Sequence, residues 1–202
     1  MAAVSSTPRD RLLDAVIALM LADGFEGVSV RRVAGAAGAS IGAVQHHFPT
    51  KSAMLAAAME RVSDEFMARL RASTDGADDP ELLLRSVLTE LLGAGEERRK
   101  ATVIWLQRMA RAAVDPEVAA GHAREWRELE ALIAGLLWQC RKDQDTAWCA
   151  DAAAELLALL DGLSAAQATE LERMPSERAE RLLDRRVREL LEPGAGTHRA
   201  ER

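Results

Sequence analysis

Between Ser40 and Lys51 the chain reads SIGAVQHHFPTK, a stretch dense in side chains that can read base edges. Gln45 offers a paired acceptor and donor, the geometry that suits N6 and N7 of adenine. His46 and His47 can donate to bases or phosphates, while Gly42 and Ala43 are small enough for a backbone to approach a groove floor. Lys51, just beyond, is placed for a phosphate, and Ser29 with the N–H groups that follow it can bind another. This is recognition chemistry rather than catalysis. The chain has no nucleophile motif, no glycine-rich phosphate loop and no His/Asp/Glu cluster at ligand spacing. It is read as a protein without cofactor or metal and not as an enzyme, with a helical enzyme or carrier kept as a remote alternative. His46 and His47 do not make a metal pair, because adjacent helical residues point about 100° apart.

Recognition groups need a frame that holds them. Val, Ile, Thr and Phe form no alternating runs and Tyr is absent, whereas helical periodicity runs through nearly the whole chain. The expectation is an all-α protein of about nine helices. Helix 1 is expected from about Pro8 to Ala22, with Leu13, Ile17 and Met20 on one side. Ser29 is an N-cap for helix 2, which ends near Gly38; helix 3 begins at Ser40 or Ile41 and is closed by Pro49. Two short helices joined by a tight turn make a helix-turn-helix, whose second helix lies in the major groove. With Val44 and Phe48 turned inward, Ser40, Ile41, Gly42, Ala43, Gln45, His46 and His47 remain for the outer side. Arg31 and Arg32 suit solvent or phosphates equally, and Arg31 is counted among the candidate contacts.

The order of Gly24-Phe25, Ser29, Val33-Ala34, Ala37-Gly38-Ala39-Ser40, Gly42, His47-Phe48 and Lys51 resembles the N-terminal domain of the TetR family of bacterial transcriptional regulators. That resemblance implies an all-helical, dimeric DNA-binding protein. It also places Ser40, Gly42, Ala43, Gln45, His46, His47 and Lys51 at DNA-contacting positions. One residue departs from the pattern: many members carry tyrosine where this chain has Gln45, which exchanges a stacking ring for an amide.

Residues 1–51 are read as the DNA-binding domain and helix 4, about 50–73, as a connector. Residues 74–192 form a larger ligand-binding and dimerisation domain, and 193–202 a disordered tail. Four tryptophans lie in the second half. They serve either as core packing or as the walls of an apolar pocket, for which Trp105, Met109, His122, Trp126, Ile133, Trp148 and Leu156 are the candidates. His122 is read as its polar group or as a satisfied core histidine. Leu157 and Leu160 on helix 8, with Leu183, Val187 and Leu190 on helix 9, are candidates for a four-helix dimer interface. Cys140 and Cys149 match no metal spacing and suit a redox switch or two unrelated buried thiols.

Net charge is −6, yet residues 1–51 hold five basic side chains (Arg9, Arg11, Arg31, Arg32, Lys51) against four acidic ones, so the acidity lies outside the reading head. No run is apolar enough to span a membrane and no secretory leader is seen, so the expected compartment is the cytoplasm. The expected partners are an inverted-repeat duplex DNA, an unidentified small-molecule effector and a second copy of the chain. The expected function is a repressor released by a small, largely apolar ligand; an activator or a ligand-independent binder on the same fold is the alternative.

Overall fold

Thr7 opens the first helix with a reciprocal cap. Its hydroxyl accepts from the Asp10 N–H at 3.1 Å, and the Asp10 carboxylate accepts from the Thr7 N–H at 3.0 Å. The same device, an Asp or Ser side chain accepting an orphan backbone N–H, starts five further helices: Ser29, Ser40, Asp79, Asp115 and Asp145. The computed structural model describes residues 7–74, 76, 78–93 and 96–193. Among them are nine α-helices, one short 3-10 turn at Phe25–Gly27 and no strand. The helices are α1 (Pro8–Asp23), α2 (Val30–Ala37), α3 (Ile41–His47), α4 (Lys51–Thr74), α5 (Pro80–Leu92), α6 (Glu96–Ala112), α7 (Pro116–Cys140), α8 (Thr146–Thr169) and α9 (Ser176–Leu191). The expected tail from 194 lies outside the described residues, as do positions 75 and 77 of the expected linker.

Helix ends moved most where a proline or a cap competes. Helix 8, expected to run to about Arg173, stops at Thr169. Residue 174 precedes Pro175, which disfavours helical backbone there, and the Met174 N–H instead closes a turn onto the Glu170 carbonyl at 2.8 Å. α7 likewise ends at Cys140 rather than Lys142.

The chain divides into two compact units, Met1–Met67 and Ala68–Arg202. In the first, Leu12, Leu13, Val16 and Met20 of α1 are buried, as are Val28, Val33, Val44 and Phe48. Ile17, Phe25 and Ala37, expected in this core, are only half-buried, and Met54 and Ala58 of α4 fill the interior. Arg61 of α4 ties back to α1 through Asp14 at 3.0 Å and the Asp10 carbonyl at 3.4 Å.

In the second unit α7 and α8 pack on each other, and α5, α6 and α9 each pack against α8. Leu84, Leu88, Leu92, Ile133, Leu137 and Leu156 are fully buried. Ser164 and Gln167 of α8 both donate to the Leu92 carbonyl, at 3.1 and 3.2 Å, and so satisfy an orphan acceptor at the end of α5. At the α7–α8 turn the buried Arg141 pairs with Asp143 through Nε and Nη2, each at 2.8 Å, and lies over the Trp148 ring. Its remaining donor reaches the carbonyls of Leu190 and Glu192 at the end of α9, the second at 2.9 Å.

The leucines expected between protomers have a different place. Leu157, Leu160, Leu183, Val187 and Leu190 are all buried within the single chain. Their number reflects α8 being covered by α5, α6, α7 and α9, which uses several apolar stripes of one helix. They present no exposed face to a second copy.

Candidate nucleic-acid interface

α2 and α3 are joined by Gly38, whose backbone at φ +62° lies in the left-handed region where a side chain is strained. Its neighbour, the Ala39 N–H, closes the turn onto the Ala34 carbonyl at 2.9 Å. Val33 and Ala34 on α2 and Val44 on α3 are buried and face the same core. That fixes the rotation of α3 about its axis. Gly42, Ala43, Gln45 and His46 are exposed, and Ile41 leaves 50% of its surface to solvent. Gln45, His46 and His47 make no hydrogen bond within the described chain; the histidine rings meet edge to face at 5.3 Å. A Cβ placed on Gly42 would meet nothing nearer than the Ser40 Oγ at 3.9 Å, so packing within the chain does not require glycine there.

The hydroxyls have work of their own. Ser29 accepts from the Arg32 N–H at 3.3 Å and Ser40 from the Ala43 N–H at 3.1 Å, so both hold helix ends and keep a proton to donate. The structure separates the two arginines that the sequence left equivalent. Arg32 is bound to the Asp23 carboxylate and donates to the Gly27 carbonyl at 2.7 Å. Arg31 is exposed and makes no printed ion pair or hydrogen bond among the described residues. Lys51 is partly engaged: its ammonium lies 3.4 Å from Glu26 Oε2 and 3.3 Å from the Glu26 carbonyl.

Of the seven pocket candidates, three come together. The Trp105 and Trp126 rings stack with centroids 5.9 Å apart and planes 10° from parallel, and His122 lies 4.4 Å from the Trp126 ring. Trp105 Nε1 and His122 Nδ1 are buried without a hydrogen-bond partner. Burial, then the nearby Arg108 charge, lowers the His122 pKa and keeps the ring neutral. Arg108 is itself held by Glu125 through two bonds of 2.5 and 2.7 Å. The other four are elsewhere or bland: Ile133 and Leu156 are solid core, Trp148 sits under Arg141, and Met109 is half-buried with no ring contact. A cleft of about 190 Å³ lined by Gly93, Arg99, Thr102, Ser164, Gln167 and Leu171 includes none of the seven.

Sequence reading missed Asp161, a carboxylate on α8 that accepts from the Trp126 side chain and whose pKa burial raises. An acid inside the apolar run LLALLDGL was the available signal. Burial also raises the pKa of both thiols, Cys140 and Cys149, away from the reactive thiolate that a redox switch needs.

The sequence profile described as bacterial regulatory proteins of the tetR family matches residues 12–58, and that of the BetI-type transcriptional repressor C-terminal domain matches 80–192. The chain belongs to the TetR family of bacterial helix-turn-helix regulators; it is a DNA-binding transcriptional regulator and not an enzyme. It is 28% identical over 184 residues to the regulator PksA of Bacillus subtilis, covering 89% of this chain and 87% of that one. A solved regulator of Rhodococcus sp. Rha1 superposes with TM-score 0.78 at 32% identity, over 92% of this chain and 96% of that one. A Saccharomonospora viridis regulator solved with choline superposes with TM-score 0.81 at 22% identity, over 90% and 95% of the two chains, a likeness of fold. No helix among the described residues is long and apolar enough to cross a membrane.

Proposed function

We propose that this regulator is a repressor whose homodimer binds an inverted-repeat operator and leaves it when a small molecule enters the C-terminal domain. The observation that carries the DNA half is the outer side of α3. Ile41, Gly42, Ala43, Gln45 and His46 are exposed on a helix whose rotation Val44 fixes, and their polar groups are unspent. Gln45 reads a base edge, Ile41 suits a thymine methyl, and His46 and His47 donate. Ser29, Arg31, Ser40 and Lys51 position the head on phosphates. The domain scheme is a head within 1–51, α4 as connector and 74–192 as effector and dimer domain. Pairing of protomers falls to the exposed sides of α8 and α9, where Ala154, Ala158 and Gly162 are small and accessible.

The sign of regulation is supported by the repressor description of the profile that covers 80–192. An effector is supported by the Trp105–His122–Trp126 cluster and by the small molecule in the Saccharomonospora relative. A coupling of roughly 1–3 kcal/mol between the two sites is enough for release. The test is a mobility-shift assay on the DNA upstream of the protein's own gene, with a reporter in a deletion strain. A shift weakened by Lys51→Ala, and expression that rises on deletion, are expected. No shift, or expression that falls, contradicts the reading.

A further inference from the structure

The polar content of the α6–α7–α8 cluster is unbalanced. Arg108 is neutralised by Glu125, and His122 is uncharged. That leaves the Asp161 carboxylate, part-buried beside Trp126, with no basic side chain paired to it among the described residues. Charges removed from water are ordinarily paired. The groups around it are aromatic: two stacked indoles and an imidazole, whose π-faces attract weakly hydrated cations. Two buried nitrogens, Trp105 Nε1 and His122 Nδ1, also lack partners, and the indole N–H can only donate.

We infer that the effector is a small organic cation, an alkylated ammonium bearing an oxygen acceptor, held by Asp161 and the Trp105–Trp126 pair. The inference rests on the reading of the second domain as an effector domain and names the chemistry of its ligand. The carboxylate supplies the missing counter-charge. The indoles suit methyl-shielded nitrogen better than a hydrated metal ion or primary amine. The Trp105 N–H binds the ligand oxygen, and His122 Nδ1 can share it. A purely apolar ligand would leave the carboxylate and both nitrogens unanswered.

Two probes of one shape separate charge from shape: choline, and its neutral carbon isostere 3,3-dimethylbutan-1-ol. Binding to the full-length protein is read by calorimetry and by quenching of tryptophan fluorescence. Choline is expected to bind at least about tenfold more tightly than the isostere, the size of a desolvated cation–π contact. Asp161→Asn, with its fold checked by circular dichroism, is expected to lose that preference. Equal binding of the two probes, unchanged preference in Asp161→Asn, or no binding of choline would each overturn the inference. Because these readouts need no DNA, they are independent of the operator experiment. A protein that shifts its operator but ignores choline would lose the cation and keep the repressor.

Discussion

The outer side of α3 and the Trp126 cluster both hold polar atoms that the chain does not satisfy, but they are built in opposite ways. On α3 the unspent groups face water, which satisfies them until DNA replaces it. The helix is seven residues long and is held by Val44 and the hydroxyl cap of Ser40. In the cluster the unspent groups are withdrawn among three long helices, where an absent partner costs about 1–3 kcal/mol per group. A surface reader stores specificity in side chains that cost little to leave alone. An interior site stores part of its binding energy as a deficit in the empty protein.

That contrast can be broken at several strengths. Phe48→Ala should cost the first unit about 3–5 kcal/mol and abolish DNA binding. All four tryptophans lie in the second unit, so their fluorescence during denaturation reports that unit alone. An unchanged tryptophan midpoint is expected; a midpoint that shifts with DNA binding would show one cooperative block and remove the contrast. Gln45→Ala should cost about 1–3 kcal/mol at one operator base pair and little at the others. Equal loss on every sequence, in a binding-site selection, would return Gln45 to the phosphate-contacting class.

Gly42→Ala should split the two properties. Stability rises by about 0.5–1 kcal/mol, because the helix gains a better former and the space is open. Operator affinity falls, because the backbone is held away from the groove. Thermal melting and titration of the same preparation check both signs. The smallest effect is on pH. His122 has a lowered pKa in the folded chain, so the native state binds fewer protons than the unfolded one as pH falls below its ordinary value of 6.5. The stability contributed by the neutral ring is present above that value and is lost as pH falls toward the folded pKa. His122→Gln should flatten that part of the curve for the second unit. Asp161 acts with the opposite sign: its raised pKa means that its protonation favours the folded state as the pH falls further.

The reading head was legible because its signals are local. Ser29, Gly38, Ser40 and Pro49 mark its turns within a few residues of one another, and the buried positions of α3 leave one outer side. The cluster was half legible. Trp126 and His122 stand four apart on one helix and could be paired by periodicity, but Trp105 and Asp161 come from α6 and α8. No spacing rule links residues on three helices. The leucines of α8 and α9 misled for a related reason. Apolar stripes in a sequence do not say whether the covering helix belongs to the same chain, and here it does.

Arg141 closes the far end of the second unit by donating to the carbonyls of Leu190 and Glu192. Its consequence is for the lifetime of incomplete chains. A polypeptide that ends before Leu190 loses more than a turn of α9, because it strands a buried guanidinium at the α7–α8 turn, with a cost of about 3–5 kcal/mol. Prematurely terminated copies would therefore unfold at that turn and be open to proteases. Few could persist as folded partners able to pair with the intact regulator and spoil its dimers.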